Sequence, residues 1–195
     1  MAYTLYFSPG ACSIAPHAAL REANLPFEIV RVDLRAKKTA TGDDYLAINP
    51  KGYVPALRLP DGQILTENAV ILQYIVDRAA SPVVDRYRLL EWLVFISTEL
   101  HKGMAPMYSP IANAEYKQAV GERLALRFAR IADAIREHPF VLGELTIVDF
   151  YAFYVMRAWQ KSAKQELSPE LQPYYTRLAA LPSIAQALAA EGITP

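Results

Sequence analysis

One change of pattern constrains this sequence more than any other feature. Up to about residue 77, short runs of β-branched and aromatic residues alternate with runs of helical periodicity, whereas beyond residue 85 only helical periodicity continues. A strand followed by a helix and a second strand predicts two parallel strands joined by a right-handed crossover. We therefore expect an α/β domain followed by an all-α domain.

The predicted elements of the first half follow the order β-α-β, a variable segment, and then β-β-α. They are a strand from Tyr3 to Phe7, a helix from Ile14 to Ala23 capped by Ser13, a strand from Phe27 to Val32, a hairpin turning at Asp61-Gly62, and a helix from Glu67 to Asp77. This order predicts a thioredoxin-like domain over residues 1–77.

The second half is predicted to be an all-helical domain over residues 86–195, reached through a linker at 78–85. Apolar residues recur at helical spacing along two long segments, near residues 89–100 and 116–135. Thr146 and Asp149 have the spacing of a capping box that opens a third helix, so Asp149 is interpreted as structural. Two shorter helices are expected near residues 173–181 and 183–190.

The composition argues against several classes of function. The 20 Lys and Arg residues balance the 20 Asp and Glu residues, so the chain lacks the basic excess that nucleic-acid binding requires. No apolar run is long enough to predict a membrane span, and the single cysteine allows no disulfide within the chain. We expect a cytoplasmic protein with no nucleic-acid or membrane partner. The three histidines show no metal-binding spacing, so no metal site is predicted.

Cys12 is the first candidate for chemistry because it follows the first strand and adjoins the start of the first helix. The helix dipole and the backbone N–H groups at that position favour a thiolate. Cys12-Ser13-Ile14-Ala15 is similar to a redox Cys-x-x-Cys motif without its second cysteine. The alternative is that Cys12 is a small buried hydrophobic side chain.

Two further segments could bind a peptide-like ligand. If the Val54-Pro55 bond is cis, the N–H and C=O of Val54 point outward and can pair with an extended peptide; the alternative is an ordinary loop proline before an edge strand. At Thr66-Glu67-Asn68, helix N–H groups can hold a carboxylate while Glu67 holds an ammonium, although plain helix capping explains the same residues.

Four segments, in order along the chain, resemble the bacterial beta-class glutathione S-transferases. They are Ser8-Pro9-Gly10-Ala11-Cys12-Ser13, Leu46 to Pro55, Leu65-Thr66-Glu67-Asn68, and Glu99-Leu100-His101-Lys102. The resemblance implies a thioredoxin-like domain followed by an all-helical domain, a homodimer, and glutathione as a co-substrate with no other cofactor. It also implies that the glutathione thiolate is conjugated to small, hydrophobic, electrophilic acceptors.

The resemblance further implies two groups of glutathione-binding residues. The first group comes from the N-terminal domain: Cys12 beside the glutathione sulfur, Lys37 from the loop after the second strand, Val54 and Pro55 at the cysteinyl backbone, and Glu67 and Asn68 at the γ-glutamyl end. The second group comes from the helical domain: Thr98, Glu99 and His101. Cys12 and His101 are the catalytic candidates, with a positive or donating His101 near the sulfur. Taken alone, Lys37 is better explained as part of a solvated loop pair with Lys38, and His101 as a residue that complements a helix end. Thr98 and Glu99 could equally form an exposed helix face.

Other interpretations stay open at this point. Cys12 could carry out glutathione-dependent thiol–disulfide exchange, or the chain could be a non-catalytic ligand-binding or protein-interaction member of the same fold. Four apolar side chains are candidates for an acceptor pocket in the helical domain, or simply for its core: Pro106, Met107, Tyr108 and Trp159. His17 and His138 are expected to be surface or capping residues.

Overall fold

The computed structural model describes residues 2–79 and 85–195. The chain forms two compact units, one of residues 1–83 together with 181–195, and one of residues 84–180. Within the described residues, no helix has both the length and the apolar character needed to cross a bilayer. Most of the predicted linker at 78–85, namely residues 80–84, lies outside the described residues.

The first unit contains a five-stranded sheet with the strand order β3-β2-β1-β4-β5. The strands are β1 (Tyr3–Phe7), β2 (Phe27–Asp33), β3 (Lys38–Thr39), β4 (Ala56–Arg58) and β5 (Ile64–Thr66). β1 pairs in parallel with β2 and antiparallel with β4, and β4 pairs antiparallel with β5. The predicted parallel pair and the predicted hairpin are thus confirmed. The apolar sequence of β1 suits its central, largely buried position.

Three helices of the first unit follow its strands: α1 (Ile14–Glu22), α2 (Tyr45–Ile48) and α3 (Asn68–Ala79). The short α2 falls in the segment that the sequence left variable, and Asp44 caps it by accepting a hydrogen bond from the Leu46 N–H at 3.0 Å. A helix of four residues is too short to show a periodic pattern, so the sequence could not predict it.

Ser13 precedes α1, but it does not cap the helix as predicted. Its backbone is already helical, with φ −59° and ψ −18°, so its side chain does not bond the first helical N–H groups. Its hydroxyl instead donates to the Ser8 carbonyl at 3.3 Å and accepts from the Ser8 N–H at 3.4 Å. Ser13 therefore closes the loop that carries Cys12.

The second unit is helical throughout its regular structure within the described residues. Its segments are α4 (Arg86–Phe95), a π-helical segment (Ile96–His101), a 3₁₀ turn (Lys102–Met104), α5 (Ala105–Tyr108), α6 (Ala114–Ala134), α7 (Ile147–Lys161) and α8 (Gln172–Ala179). Apolar side chains of α4, α6 and α7 form its core, and nearly all of α7 is buried. The apolar periodicity predicted this core, but a segment of six residues is too short for its pattern to distinguish a π-helix from an α-helix.

Asp149 is buried at the start of α7 and confirms the predicted capping box with Thr146. Its carboxylate accepts hydrogen bonds from the Thr146 N–H at 2.7 Å, the Val141 N–H at 3.1 Å and the Tyr174 hydroxyl at 2.5 Å. Burial raises the pKa of Asp149, whereas these hydrogen bonds act to lower it. The residue thus joins α7 to α8 and to the loop before α7.

The last helix, α9 (Pro182–Glu191), packs against α1 and belongs to the first unit. Its apolar face is buried there through Ile184, Ala187 and Leu188. The sequence placed residues 181–195 in the helical domain at 86–195, so the packing differs from that expectation in this final segment. The reason is that a helical pattern shows which face is apolar, but not which unit buries it.

Candidate active site

Cys12 lies between β1 and α1, where three distant segments of the first unit meet. Its sulfhydryl donates to the Val54 carbonyl, with Sγ 3.3 Å from the oxygen, and its own carbonyl accepts from Asn68 Nδ2 at 3.1 Å. The Cys12 side chain is half-buried. The structure therefore brings three of the predicted site residues, Cys12, Val54 and Asn68, into one hydrogen-bonded group.

The Val54–Pro55 peptide bond is cis, and both residues are buried immediately before β4. The loop in front of them is fixed at the Tyr53 carbonyl, which accepts hydrogen bonds from the Tyr45 hydroxyl at 2.7 Å and from Asn49 Nδ2 at 2.8 Å. In the part of the chain that the structure describes, the Val54 N–H donates no hydrogen bond. Immediately before the start of β4, this backbone therefore has a donor available for another extended chain.

Glu67 and Asn68 stand at the start of α3 in opposite environments. Glu67 has a left-handed backbone, with φ +69°, and an exposed carboxylate. Asn68 is buried, and within the described residues its Oδ1 has no hydrogen-bond partner. A buried acceptor without a partner is costly, so Asn68 Oδ1 is the group of this site that would gain most from a donor.

Lys51 is a site residue that the sequence reasoning missed. Its Nζ lies 2.8 Å from Glu67 Oε1 and 3.1 Å from the Thr66 hydroxyl. The Glu67 carboxylate expected to take a ligand ammonium thus already holds a lysine ammonium. About half of the Lys51 side chain is exposed, so the pair is a weak surface ion pair. The lysine inside Asn49-Pro50-Lys51-Gly52 was the available signal.

Lys37 contacts the loop that contains Lys51 and Gly52. It has a left-handed backbone, with φ +56°, and its Nζ donates to the Gly52 carbonyl at 2.8 Å and lies 6.0 Å from the centre of the Tyr53 ring. Gly52 itself has φ +64°, and a Cβ there would lie 3.1 Å from Leu46 Cδ2. The solvated position considered for Lys37 is therefore wrong, since its ammonium is hydrogen-bonded to the carbonyl of Gly52 in the loop before Val54.

His17 and Glu191 form a buried pair that is bonded to the loop carrying Cys12. The sequence analysis predicted this role for neither residue. Both side chains are fully buried, with His17 Nδ1 2.9 Å from Glu191 Oε1. Arg21 Nε donates to His17 Nε2 at 3.2 Å, so His17 carries its proton on Nδ1 and donates it to Glu191. The second carboxylate oxygen accepts from the Gly10 N–H at 3.1 Å. The expectation that His17 is a surface or capping residue is wrong, because α9 covers it.

The second predicted group lies in the helical unit, on the π-helical segment. The Thr98 hydroxyl donates to the Val94 carbonyl at 3.0 Å, and Glu99 Oε2 pairs with Arg127 Nε at 3.0 Å on the exposed surface. Thr98 and Glu99 therefore have partners within their own unit.

His101 is held against α7 by two tyrosines. Its Nδ1 lies 2.8 Å from the Tyr151 hydroxyl and its Nε2 lies 3.3 Å from the Tyr154 hydroxyl. Burial, with a smaller contribution from the neighbouring Lys102 charge, lowers the pKa of His101 to about 4. A positive His101 at neutral pH, one of the two forms expected for it, is therefore wrong, and a neutral imidazole stands in its place.

The acceptor-pocket candidates occupy different environments within the helical unit. Trp159 is buried, and its Nε1 donates to the Glu166 carbonyl at 2.9 Å. Pro106 and Met107 are half-buried, and Tyr108 is exposed. Met107 and Trp159 line one open groove along α6. Among the described residues, no cluster of His, Cys, Asp and Glu could hold a metal ion.

Comparisons with known proteins agree with this geometry. A family model described as "Glutathione S-transferase, N-terminal domain" matches residues 10–78, and one described as "Glutathione S-transferase, C-terminal domain" matches residues 99–191. Glutathione S-transferase GstA of Escherichia coli O157:H7 is 41% identical over 97% of this chain and 98% of its own length.

Two solved structures extend the likeness to the whole fold. A sphingomonad glutathione S-transferase complexed with glutathione has a TM-score of 0.90 and 37% identity, and covers 98% of this chain and 100% of its own. A bacterial beta-class glutathione S-transferase of Sphingomonas chungbukensis has a TM-score of 0.89 and 39% identity over the same shares. The two units thus correspond to a thioredoxin-like domain and an all-helical domain, and the chain belongs to the glutathione S-transferase family, with beta-class enzymes as its structural neighbours.

Proposed function

We propose that this chain is a glutathione S-transferase of beta type, which joins the sulfur of glutathione to small, hydrophobic, electrophilic acceptors. The observation that carries the proposal is the hydrogen-bonded group of Cys12, Val54 and Asn68 beside a cis Val54–Pro55 bond. It places a thiol, an available backbone N–H and a buried amide within one site. A tripeptide with a central cysteine has complementary groups at matching positions.

In this proposal the tripeptide binds along the backbone at Val54. The backbone carbonyl of its cysteinyl residue accepts a hydrogen bond from the Val54 N–H. The Val54 carbonyl, which accepts from the Cys12 sulfhydryl in the free protein, accepts instead from the backbone N–H of the ligand. The γ-glutamyl end lies at the start of α3, where Glu67 and Asn68 Oδ1 offer acceptors to its ammonium. Lys37 lies at the loop before Val54 and offers a cation to a ligand carboxylate.

Activation of the sulfur requires that its pKa falls. A cysteine thiol has a pKa of about 8.5, so a shift of about two units makes the thiolate dominant at pH 7 and corresponds to about 2.7 kcal/mol. The start of α1 beside Cys12 contributes backbone N–H groups and the positive end of a helix dipole. Since His101 is neutral and both of its ring nitrogens bond tyrosine hydroxyls, it takes part through the dipole of its ring and not as a cation.

The thiolate then attacks an electrophilic carbon of the acceptor, and holding both reactants in one site supplies the proximity effect. The carbon–sulfur bond forms from the thiolate electron pair, and the displaced group of the acceptor leaves with its own pair. We include in the proposal an apolar acceptor and a homodimer, as the family resemblance implies, and the cytoplasmic location expected from the composition. Glutathione is the co-substrate, and no further cofactor is proposed.

A second activity is favoured by the position of the Cys12 sulfur, 3.3 Å from the carbonyl of Val54 where the ligand cysteine would pair. Two sulfurs so close allow thiol–disulfide exchange with a glutathionylated substrate. The Cys12 thiolate attacks the glutathione sulfur, the substrate leaves as its thiolate, and a second glutathione releases the first as oxidised glutathione.

Titration calorimetry with glutathione tests the proposed binding, and a chromogenic conjugation assay tests the chemistry. Lys37→Met is expected to weaken glutathione binding, while the adjacent exposed Lys38→Met serves as a matched control. Cys12→Ala separates the two activities, because it removes disulfide exchange and keeps conjugation if the glutathione sulfur is the nucleophile. No heat of binding in the wild-type protein would refute the proposed function.

A further inference from the structure

His101 ends the π-helical segment and is enclosed by two tyrosines of one helix. Tyr151 and Tyr154 are three residues apart on α7, so their side chains lie on the same face. Both rings meet the imidazole nearly at right angles, with centroid distances of 5.8 Å for Tyr151 and 4.9 Å for Tyr154. The imidazole therefore has little room to rotate.

Hydroxyl groups occupy both nitrogens of this imidazole, at 2.8 Å from Nδ1 and 3.3 Å from Nε2. A neutral imidazole has one N–H donor and one acceptor nitrogen, and a phenol hydroxyl can both donate and accept. One tyrosine can therefore accept from the ring N–H while the other donates to the ring lone pair. This arrangement satisfies both nitrogens in a single tautomer.

The surroundings give no compensation for a proton on the ring. In the described residues, no carboxylate bonds His101: Glu99 on its own segment pairs with Arg127 of α6. The adjacent Lys102 is a like charge that disfavours an imidazolium.

Among the described residues, no carboxylate of α4, α6 or α7, the helices packed against the π-helical segment, bonds His101 either. On α4, Glu91 pairs with Arg88. On α7, the carboxylate of Asp149 is used by Tyr174 and Thr146, and the groups of that helix that bond His101 among the described residues are the Tyr151 and Tyr154 hydroxyls. Burial between neutral hydroxyl groups therefore favours the uncharged ring.

We propose that Tyr151 and Tyr154 are positioning residues that hold His101 as a neutral imidazole in one tautomer throughout the reaction. His101 then contributes a fixed dipole, and the sulfur is activated without any change in the charge of this histidine. The inference rests on the proposed function for the place where that dipole acts. The state of the ring itself is a property of the helical unit and can be measured without glutathione.

Nuclear magnetic resonance of the ¹⁵N-labelled histidine rings tests the proposal directly. The chain has only three histidines, and the variants H17N, H101N and H138N assign their signals. For His101 in the wild-type protein we expect one protonated and one unprotonated ring nitrogen, with shifts that stay constant from about pH 5.5 to pH 9. Titration of His101 near its ordinary pKa of about 6.5, or averaging of its two nitrogens, would overturn the proposal.

Removal of the two hydroxyl groups tests the positioning role. In the double variant Tyr151→Phe with Tyr154→Phe, we expect the His101 nitrogens to average between tautomers and kcat for conjugation to fall about tenfold, with an unchanged KM for glutathione. Tyr175→Phe is the matched control, because the described residues give its buried hydroxyl no partner. This control is expected to leave the ring signals and kcat unchanged.

The outcomes separate this inference from the proposed function. An unchanged tautomer and unchanged kcat in the folded double variant would refute the positioning role. A fixed neutral ring in a protein that fails to bind glutathione would refute the proposed function and still support the state inferred for His101.

Discussion

Replacement of Glu191 by alanine is expected to lower the free energy of unfolding by about 3–5 kcal/mol, although the residue lies far from Cys12 in the sequence. The carboxylate is buried and accepts hydrogen bonds from the His17 imidazole at 2.9 Å and the Gly10 N–H at 3.1 Å. Hydrogen bonds to a charged group contribute about 1.5–3 kcal/mol each, and loss of one member of a buried charged group costs about 3–5 kcal/mol.

Glu191→Gln is expected to remove only part of the stability that Glu191→Ala removes. The amide keeps one acceptor oxygen, but its NH₂ group must face either the His17 N–H or the Gly10 N–H, neither of which can accept a hydrogen bond. One bond is therefore lost and one kept, so we expect a cost of about 1–3 kcal/mol. The exposed Glu22→Gln on α1 is the control, with an expected change within about 0.5 kcal/mol.

Equilibrium unfolding in urea measures these differences, provided that the slope with denaturant is the same in every variant. The expected order of stability is wild type and Glu22→Gln, then Glu191→Gln, then Glu191→Ala. Equal stability of Glu191→Ala and the control would show that the buried carboxylate is not part of the support for the Cys12 loop, and the reasoning would be refuted.

Three further predictions follow from single contacts. Gly52→Ala is expected to cost more stability than Gly62→Ala in urea unfolding, because both have positive φ but only a Cβ at Gly52 crowds Leu46; equal costs would contradict this. Tyr174→Phe is expected to cost about 1.5–3 kcal/mol, since it removes a 2.5 Å bond to the buried Asp149, and a change below about 0.5 kcal/mol in calorimetry would exclude that contribution. The pKa of His101 is about 4 in the folded state and 6.5 when unfolded, so between these values the folded state binds fewer protons than the unfolded state. The free energy of unfolding is therefore expected to rise by up to about 3 kcal/mol as the pH rises from 4 to 6.5. This gain should be absent from His101→Asn, and parallel stability curves for the two proteins would contradict the assignment.

The features that the sequence predicted well depend on neighbours along the chain. β1, its parallel partner and the capping box of α7 each follow from a short local pattern, and the structure confirms them. The sequence singled out Cys12 and Val54 as candidates because each adjoins the end or start of a predicted strand. The cis form of the Val54–Pro55 bond was a condition of the prediction, and the structure meets it.

The features that the sequence missed depend on contacts between distant residues. Lys51 pairs with Glu67 across two loops, and His17 pairs with Glu191 from the other end of the chain. A histidine within a helical pattern looks the same whether water or a buried carboxylate faces it, so its role is fixed only by packing. The sequence left the charge state of His101 open for the same reason, because the tyrosines that enclose it belong to another helix.

The attachment of α9 to α1 has a consequence for the order in which the protein matures. Gly10 and Glu191 are 181 residues apart in the sequence, so at about 5–20 residues per second a ribosome needs roughly ten to forty seconds between them. During that interval the nascent sheet can assemble, while the imidazole of His17 has no carboxylate to accept its hydrogen bond. The half of the molecule that is synthesised first is therefore among the last to be completed, and the Cys12 thiol acquires its final surroundings only after Glu191 has left the ribosome.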